Sequence, residues 1–146
     1  METESIKKKK ICIVEDEPSI REIYQTVLQE NGFEVFTAED GERGLEVISA
    51  QKPDLALIDM LMPVKDGISL IQDMRKDEEL SQIPVIILSN LIEEETVAKR
   101  NDLKVQFYLV KSLFTPAQVV RVVREVLHDK LKGDKNFSHQ QDIAKT

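Results

Sequence analysis

The chain has no tryptophan, one cysteine and two histidines among its 146 residues. A lone thiol, Cys12, cannot close an internal disulfide. Set inside an apolar run, it reads as a buried, inert side chain. His128 and His139 are not paired at metal-ligand spacing and read as surface residues. Long apolar runs are missing too. None approaches the length of a signal core or a membrane span, which argues against a membrane partner and makes the cytoplasm the expected location. Positive charge is in deficit, with 20 Lys and Arg against 27 Asp and Glu, a net charge of −7. That argues against direct contact with nucleic acid, because phosphate contacts need clustered Lys and Arg. The one basic run, Lys7–Lys10, reads as a solvated N-terminal leader.

What is present is a composition of 41% hydrophobic and 32% charged residues, which suits one globular domain with a sizeable core. Its most informative stretch is Leu55-Ala56-Leu57-Ile58-Asp59. A short Leu/Ile-rich run without alternation predicts a strand covered on both faces, as in a parallel sheet. Asp59 then sits at its C-terminal end, the edge where open α/β sheets bind ligands.

The rest of the chain repeats that pattern. Ile11–Val14 predicts the first strand and ends in Glu15-Asp16-Glu17. Pro18 opens a helix with Ile20, Ile23 and Val27 on one face and Tyr24 and Leu28 beside them. Asn31-Gly32 closes it. Phe33–Thr37 is the second strand, Asp40-Gly41 a turn, and a short helix follows with Leu45 and Ile48 inward. Lys52-Pro53-Asp54 breaks that helix before the third strand. Asp66 caps a helix carrying Ile68, Ile71 and Met74. Val85–Leu88 is the fourth strand and ends at Ser89. A charged helix is expected over Glu93–Arg100. Phe107–Val110 is the fifth strand and ends at Lys111. Thr115-Pro116 starts a last helix, striped by Val119, Val123 and Leu127, with Val122 off the stripe and expected at the surface. Lys130 and Lys132 complement the helix dipole, and Gly133 stops it. Residues 134–146 read as a polar tail or the start of a linker. No repeat is visible. Five β-α units in this order imply an α/β fold: a parallel sheet with helices on both faces and right-handed crossovers.

The strand ends carry the chemistry. Glu15 and Asp16, Asp59, Ser89 and Lys111 all fall on one edge of one sheet. Three close carboxylates repel, and a hard divalent cation such as Mg²⁺ is the simplest remedy. An ionised Asp attacks a phosphoryl group when metal and cation neutralise the oxygens, and such transfer depends mainly on positioning and charge. Asp59 is therefore the candidate acceptor, with Lys111 and Ser89 as donors to the phosphoryl oxygens.

On these residues the chain closely resembles the receiver domain of two-component response regulators. The resemblance covers about residues 9–131 and rests on Val14-Glu15-Asp16-Glu17, Leu57–Gly67, Pro84–Ser89 and Tyr108–Lys111. It implies a flavodoxin-like (βα)5 fold with strand order 2-1-3-4-5, a receiver over residues 10–131, a leader over 1–9 and a tail over 132–146. It implies phosphorylation of Asp59 by a histidine kinase or phosphotransfer protein. Glu15, Asp16, Asp59 and the Leu61 backbone carbonyl would hold Mg²⁺. Ser89 and Tyr108 would switch the face formed by the fourth helix, fifth strand and fifth helix. The output would be a protein–protein contact, by a monomer or a weak dimer through that face. Such a switch is not an enzyme in the usual sense; it catalyses its own phosphoryl acceptance and hydrolysis. No output domain fits after residue 131, so the receiver acts alone or is part of something longer.

Five positions depart from the family pattern. Glu15 stands where Asp is commoner, so a water-mediated metal contact is an option. Ser112 replaces the usual Pro after Lys111, which removes the reason for a cis peptide there. Asn90 replaces a small residue and narrows access. Leu61 and Leu91 flank the site where polar residues often sit, and are expected to hinder the hydrolytic water. Other classes fit less well. A phosphohydrolase of the haloacid-dehalogenase type needs its nucleophile after the first strand and an acid two residues on, where this chain has Leu61. A flavin or nucleotide carrier needs a Gly/Ser/Thr-rich phosphate loop after strand one, where this chain is acidic. A receiver that has lost its chemistry would not need Asp16, Asp59, Ser89 and Lys111 together.

Overall fold

The computed structural model describes residues 7–90 and 102–132, with side chains to residue 128. The helix expected over Glu93–Arg100, Leu91, His139 and the tail lie outside the described residues, as do the side chains of Lys130 and Lys132. In chain order the elements are β1 (Lys10–Val14), α1 (Pro18–Glu30), β2 (Glu34–Ala38), α2 (Gly41–Gln51), β3 (Leu55–Ile58), α3 (Gly67–Lys76), β4 (Val85–Ser89), β5 (Phe107–Val110) and a C-terminal helix (Pro116–Lys132). All strand pairs are parallel, and the sheet order is β2-β1-β3-β4-β5. Asp59 follows directly on β3, and Ser89 is the last residue of β4.

Side chains alternate along each strand, so every strand feeds two layers. Ile11, Ile13, Leu55, Leu57, Ile86, Leu88, Phe107 and Leu109 pack with Tyr24 and Leu28 of α1 and the valines of the C-terminal helix. Cys12, Val14, Ala56, Ile58, Val85, Ile87 and Tyr108 pack with Ile48 of α2 and Leu70, Ile71 and Met74 of α3. Cys12 is fully buried, and that burial pushes its thiol up to about 12.

Helix ends are made as the sequence suggests. Asp66 accepts from the Ser69 N–H at 2.9 Å. Thr115 and Gln118 satisfy each other's backbone N–H reciprocally, at 3.2 and 2.8 Å, a capping box in form. Gly32 takes the left-handed conformation, φ 94, that lets the chain leave α1.

Several expectations need correction. Asp40 is the N-cap of α2, accepting from the Arg43 N–H at 2.8 Å, and Gly41 is already helical. Ile23 is 49% exposed, because it lies about 100° round the helix from Tyr24; Leu70, unmarked in sequence, is fully buried. Val122 is only 4% exposed. The last helix packs against both the sheet and α1, so its covered face is wider than one stripe. Lys10 belongs to β1 and is not free leader: its N–H donates to Asp54 Oδ2 at 2.8 Å and its amine to the Gln51 carbonyl at 3.3 Å.

Candidate functional site

The site is built where β1, β3, β4 and β5 end. The Asp59 N–H donates to the Val14 carbonyl at 3.0 Å and the Glu15 N–H to Ala38 at 3.0 Å. Sheet pairing therefore continues one residue past β1 and β3, and it fixes both acidic residues. Gly67 lets α3 begin against β3. Its N–H donates to the Met60 carbonyl at 3.0 Å, and a Cβ there would lie 2.4 Å from the Asp59 carbonyl oxygen. Between them, Pro63-Val64-Lys65 makes a tight turn, with the Lys65 N–H on the Pro63 carbonyl at 2.7 Å and Val64 at φ 69. That conformation is strained for a β-branched residue.

Glu15, Asp59 and Ser89 are the buried polar groups of the described core, at 4%, 7% and 1% exposure. Lys111 Nζ lies 2.8 Å from Glu15 Oε1 and 3.3 Å from Asp59 Oδ2. Burial alone would lower the Lys111 amine, but the two carboxylates outweigh it and hold it above its usual value. Burial pushes Glu15 up, against the hydrogen bonds from Lys111 and the Glu17 N–H. One carboxylate oxygen each from Glu15, Asp16 and Asp59 lies within 4.8 Å of the others. Three hard oxygen donors at that spacing fit a divalent cation of the Mg²⁺ type.

Leu61 is 60% exposed, and its N–H reaches Asp59 Oδ1 at 3.4 Å. Ser89 ends β4 beside Val110, and Tyr108 is 3% exposed on the α2 and α3 side of the sheet. The structure thus brings Glu15, Asp16, Asp59 and Lys111 into one cluster, with Ser89 at the same sheet edge. No peptide bond among the described residues is cis, the one before Ser112 included. Asn90 is turned toward Ser112: its Oδ1 accepts the Ser112 N–H at 3.0 Å. The two departures from the family pattern are therefore partners, since a Pro at 112 would have no N–H to give.

Two contributors escaped sequence reasoning. Arg21 of α1 donates to the Glu15 carbonyl at 2.7 Å and the Asp16 carbonyl at 3.4 Å, anchoring the acidic loop. Its spacing of one helical turn from that loop was the available signal. Arg75 of α3 donates to the carbonyls of Leu103 at 2.7 Å, Ile83 at 2.9 Å, Ser81 at 3.1 Å and Lys104 at 3.2 Å. It ties α3 to the segments that enter β4 and β5, and nothing in the sequence marks it.

A model of the response regulator receiver domain matches residues 11–124. The chain belongs to that family. The receiver is 38% identical over 122 residues to a probable transcriptional regulator, ycf27, of Cyanophora paradoxa, covering 84% of this chain and 49% of that protein. It is 34% identical to the phosphate regulon transcriptional regulatory protein PhoB of Pseudomonas aeruginosa, over 86% of this chain and 55% of that one. The receiver thus spans about half the length of these curated relatives. Among solved structures, the chemotaxis response regulator CheY4 of Vibrio cholerae superposes with a TM-score of 0.77 at 27% identity, covering 82% of this chain and 99% of that one. The parallel α/β sheet is the one read from the apolar runs, and its strand order is the one that the resemblance implies. No helix among the described residues is long and apolar enough to cross a membrane.

Proposed function

We propose that this receiver is a phosphorylation-activated switch whose acceptor is Asp59. An Asp59 carboxylate oxygen attacks the phosphorus of a phosphohistidine on a histidine kinase or phosphotransfer protein. The P–N bond breaks, and its electron pair stays on the imidazole nitrogen, which takes up a proton. Hydrolysis reverses the state: water attacks phosphorus, the P–O bond to Asp59 breaks, and inorganic phosphate leaves. The receiver has no other substrate, so it is not an enzyme in the usual sense.

The observation that carries this reading is the Lys111 amine bridging Glu15 and Asp59 beside Asp16. Glu15, Asp16, Asp59 and the Leu61 carbonyl are the proposed holders of Mg²⁺. When bound, the ion neutralises oxygens so that an anionic carboxylate and an anionic phosphoryl group can meet. Lys111 and Ser89 hold phosphoryl oxygens. Ser89 and Tyr108 then shift the population of two arrangements of the face made by the fourth helix, β5 and the last helix. That face is read by a partner protein, with the receiver a monomer or weak dimer in the cytoplasm. The receiver unit runs over residues 10–131.

Intact mass measurement after incubation with acetyl phosphate and Mg²⁺ tests this. One added phosphoryl group is expected in the wild type and none in Asp59→Asn or with chelator. A folded wild type that gains no mass from acetyl phosphate or from a kinase would make it a receiver-shaped binding module instead.

A further inference from the structure

Tyr24 stands out among the buried polar side chains. It is 6% exposed, and its hydroxyl has no hydrogen-bond partner among the described residues. A buried hydroxyl left in that state costs free energy, so such groups are normally paired with protein or with water. Tyr24 lines a small cavity of about 10 Å³, together with Ile13, Leu57 and Leu88 and, at its upper end, Glu15 and Asp59. That is at the lower limit of what a cavity needs to hold one water molecule. The phenol oxygen also feels the charges of Lys111 and Glu15. The side chain borders the same cavity as the two carboxylates.

Alternation along the strands explains the juxtaposition. Ile13 and Leu57 point into the α1 layer, so Glu15 and Asp59, two residues further on, follow the same side. Tyr24 is the residue of α1 that meets them from below. The ring packs in the core with Leu28 and the strand residues. The hydroxyl is the feature that packing does not explain.

We infer that Tyr24 is a positioning residue of the phosphoacceptor site, holding one buried water between its hydroxyl and the Glu15 and Asp59 carboxylates. The water accepts from the phenol O–H and donates one hydrogen to each carboxylate from the protein side. A water so held has the several polar partners that buried waters need. Each carboxylate is then fixed by a hydrogen bond from beneath, and its outer oxygen is turned toward cation and phosphoryl donor. This rests on the acceptor role proposed for Asp59.

The test is Tyr24→Phe, which keeps the ring and removes only the hydroxyl, beside Tyr24→Leu, which removes both. A high-resolution crystal structure of the wild type should show one ordered water within hydrogen-bond distance of Tyr24 Oη and a carboxylate oxygen of Glu15 or Asp59. Tyr24→Phe should lack it. With acetyl phosphate and Mg²⁺, the maximal phosphorylation rate of Tyr24→Phe should fall about tenfold, the worth of one hydrogen bond, with half-saturation by acetyl phosphate unchanged. Tyr24→Leu should lose stability as well. A dry cavity in the wild type, or a Tyr24→Phe rate equal to that of the wild type, overturns the inference. A wild type that takes no phosphoryl group overturns the acceptor role instead, and the crystallographic water still decides the role of Tyr24.

Discussion

The two layers of the sheet are alike in their interiors and different at their upper ends. Toward α1 and the last helix, Ile13, Leu57 and Leu109 lead to Glu15, Asp59 and Lys111. Toward α2 and α3, Ile87 leads to Ser89, and Tyr108 packs nearby. The first layer ends in the ion pairs of Lys111 with Glu15 and Asp59, and no such pair closes β4 of the other among the described residues. The reason is electrostatic. A buried charge is tolerable only beside its opposite, so the two carboxylates and the amine share a side. A lone charge among Ser89, Tyr108 and the α3 core would have no such partner.

The largest expected effect is at the junction of the layers. Gly67→Ala would press a methyl group onto the backbone of Asp59 and Met60, at 2.4 and 2.9 Å. Neither can step aside, and a loss of about 3 kcal/mol is expected in urea denaturation. Gly44→Ala meets only side-chain methyls, those of Val14 at 3.0 and 3.1 Å and one of Leu70 at 3.2 Å, and should cost clearly less. Equal losses would mean that the β3–α3 contact is no tighter than ordinary packing.

Removing the amine from the charged layer comes next. Lys111→Met leaves Glu15 and Asp59 facing each other without a cation, and a stability loss of about 2 kcal/mol is expected in the absence of divalent ions. Mg²⁺ should then raise the melting temperature of the variant more than that of the wild type, because the ion takes over the neutralising role. Calorimetry with and without Mg²⁺ measures this. A smaller Mg²⁺ shift in the variant would show that Lys111 does not compete with the cation for these carboxylates.

A smaller effect is expected where the strands of the two halves are tied. Asn90→Ala and Ser112→Pro each break the same exposed hydrogen bond, at a cost of about 1 kcal/mol. Combined, they should cost little more than either alone. Full additivity in that cycle would mean that the two residues act separately.

The smallest effect belongs to Cys12, on the neutral layer. Its thiol is pushed up to about 12 from 9.0, so the folded state holds a proton that the unfolded chain releases. The sign follows by linkage: the contribution is fully present below pH 9 and is lost as pH rises from there. Stability against pH should therefore fall more steeply above pH 9 in the wild type than in Cys12→Ala, with no difference in slope at neutral pH.

Much of this was legible in the chain itself. The five strands, the caps at Asp66 and Thr115, the buried thiol and the convergence of Glu15, Asp16, Asp59, Ser89 and Lys111 follow from apolar runs and what ends them. The misreadings have two causes. Ile23 and Val122 were placed by helical period, and period says which residues align, not how wide a face the neighbours cover. Asp40 reads as a turn because an N-cap and a turn use the same residues.

The sequence by itself determined the parallel sheet and the set of groups at its edge, because strand length, burial and chain reversal are local properties of residue order. Only the tertiary structure decided which of those groups touch. That Lys111 bridges Glu15 and Asp59, that Asn90 meets Ser112, that Arg21 braces the acidic loop and that Tyr24 lies beneath the carboxylates are contacts between elements distant in the chain. They depend on how helices seat on the sheet, and close packing of side chains in three dimensions fixes that.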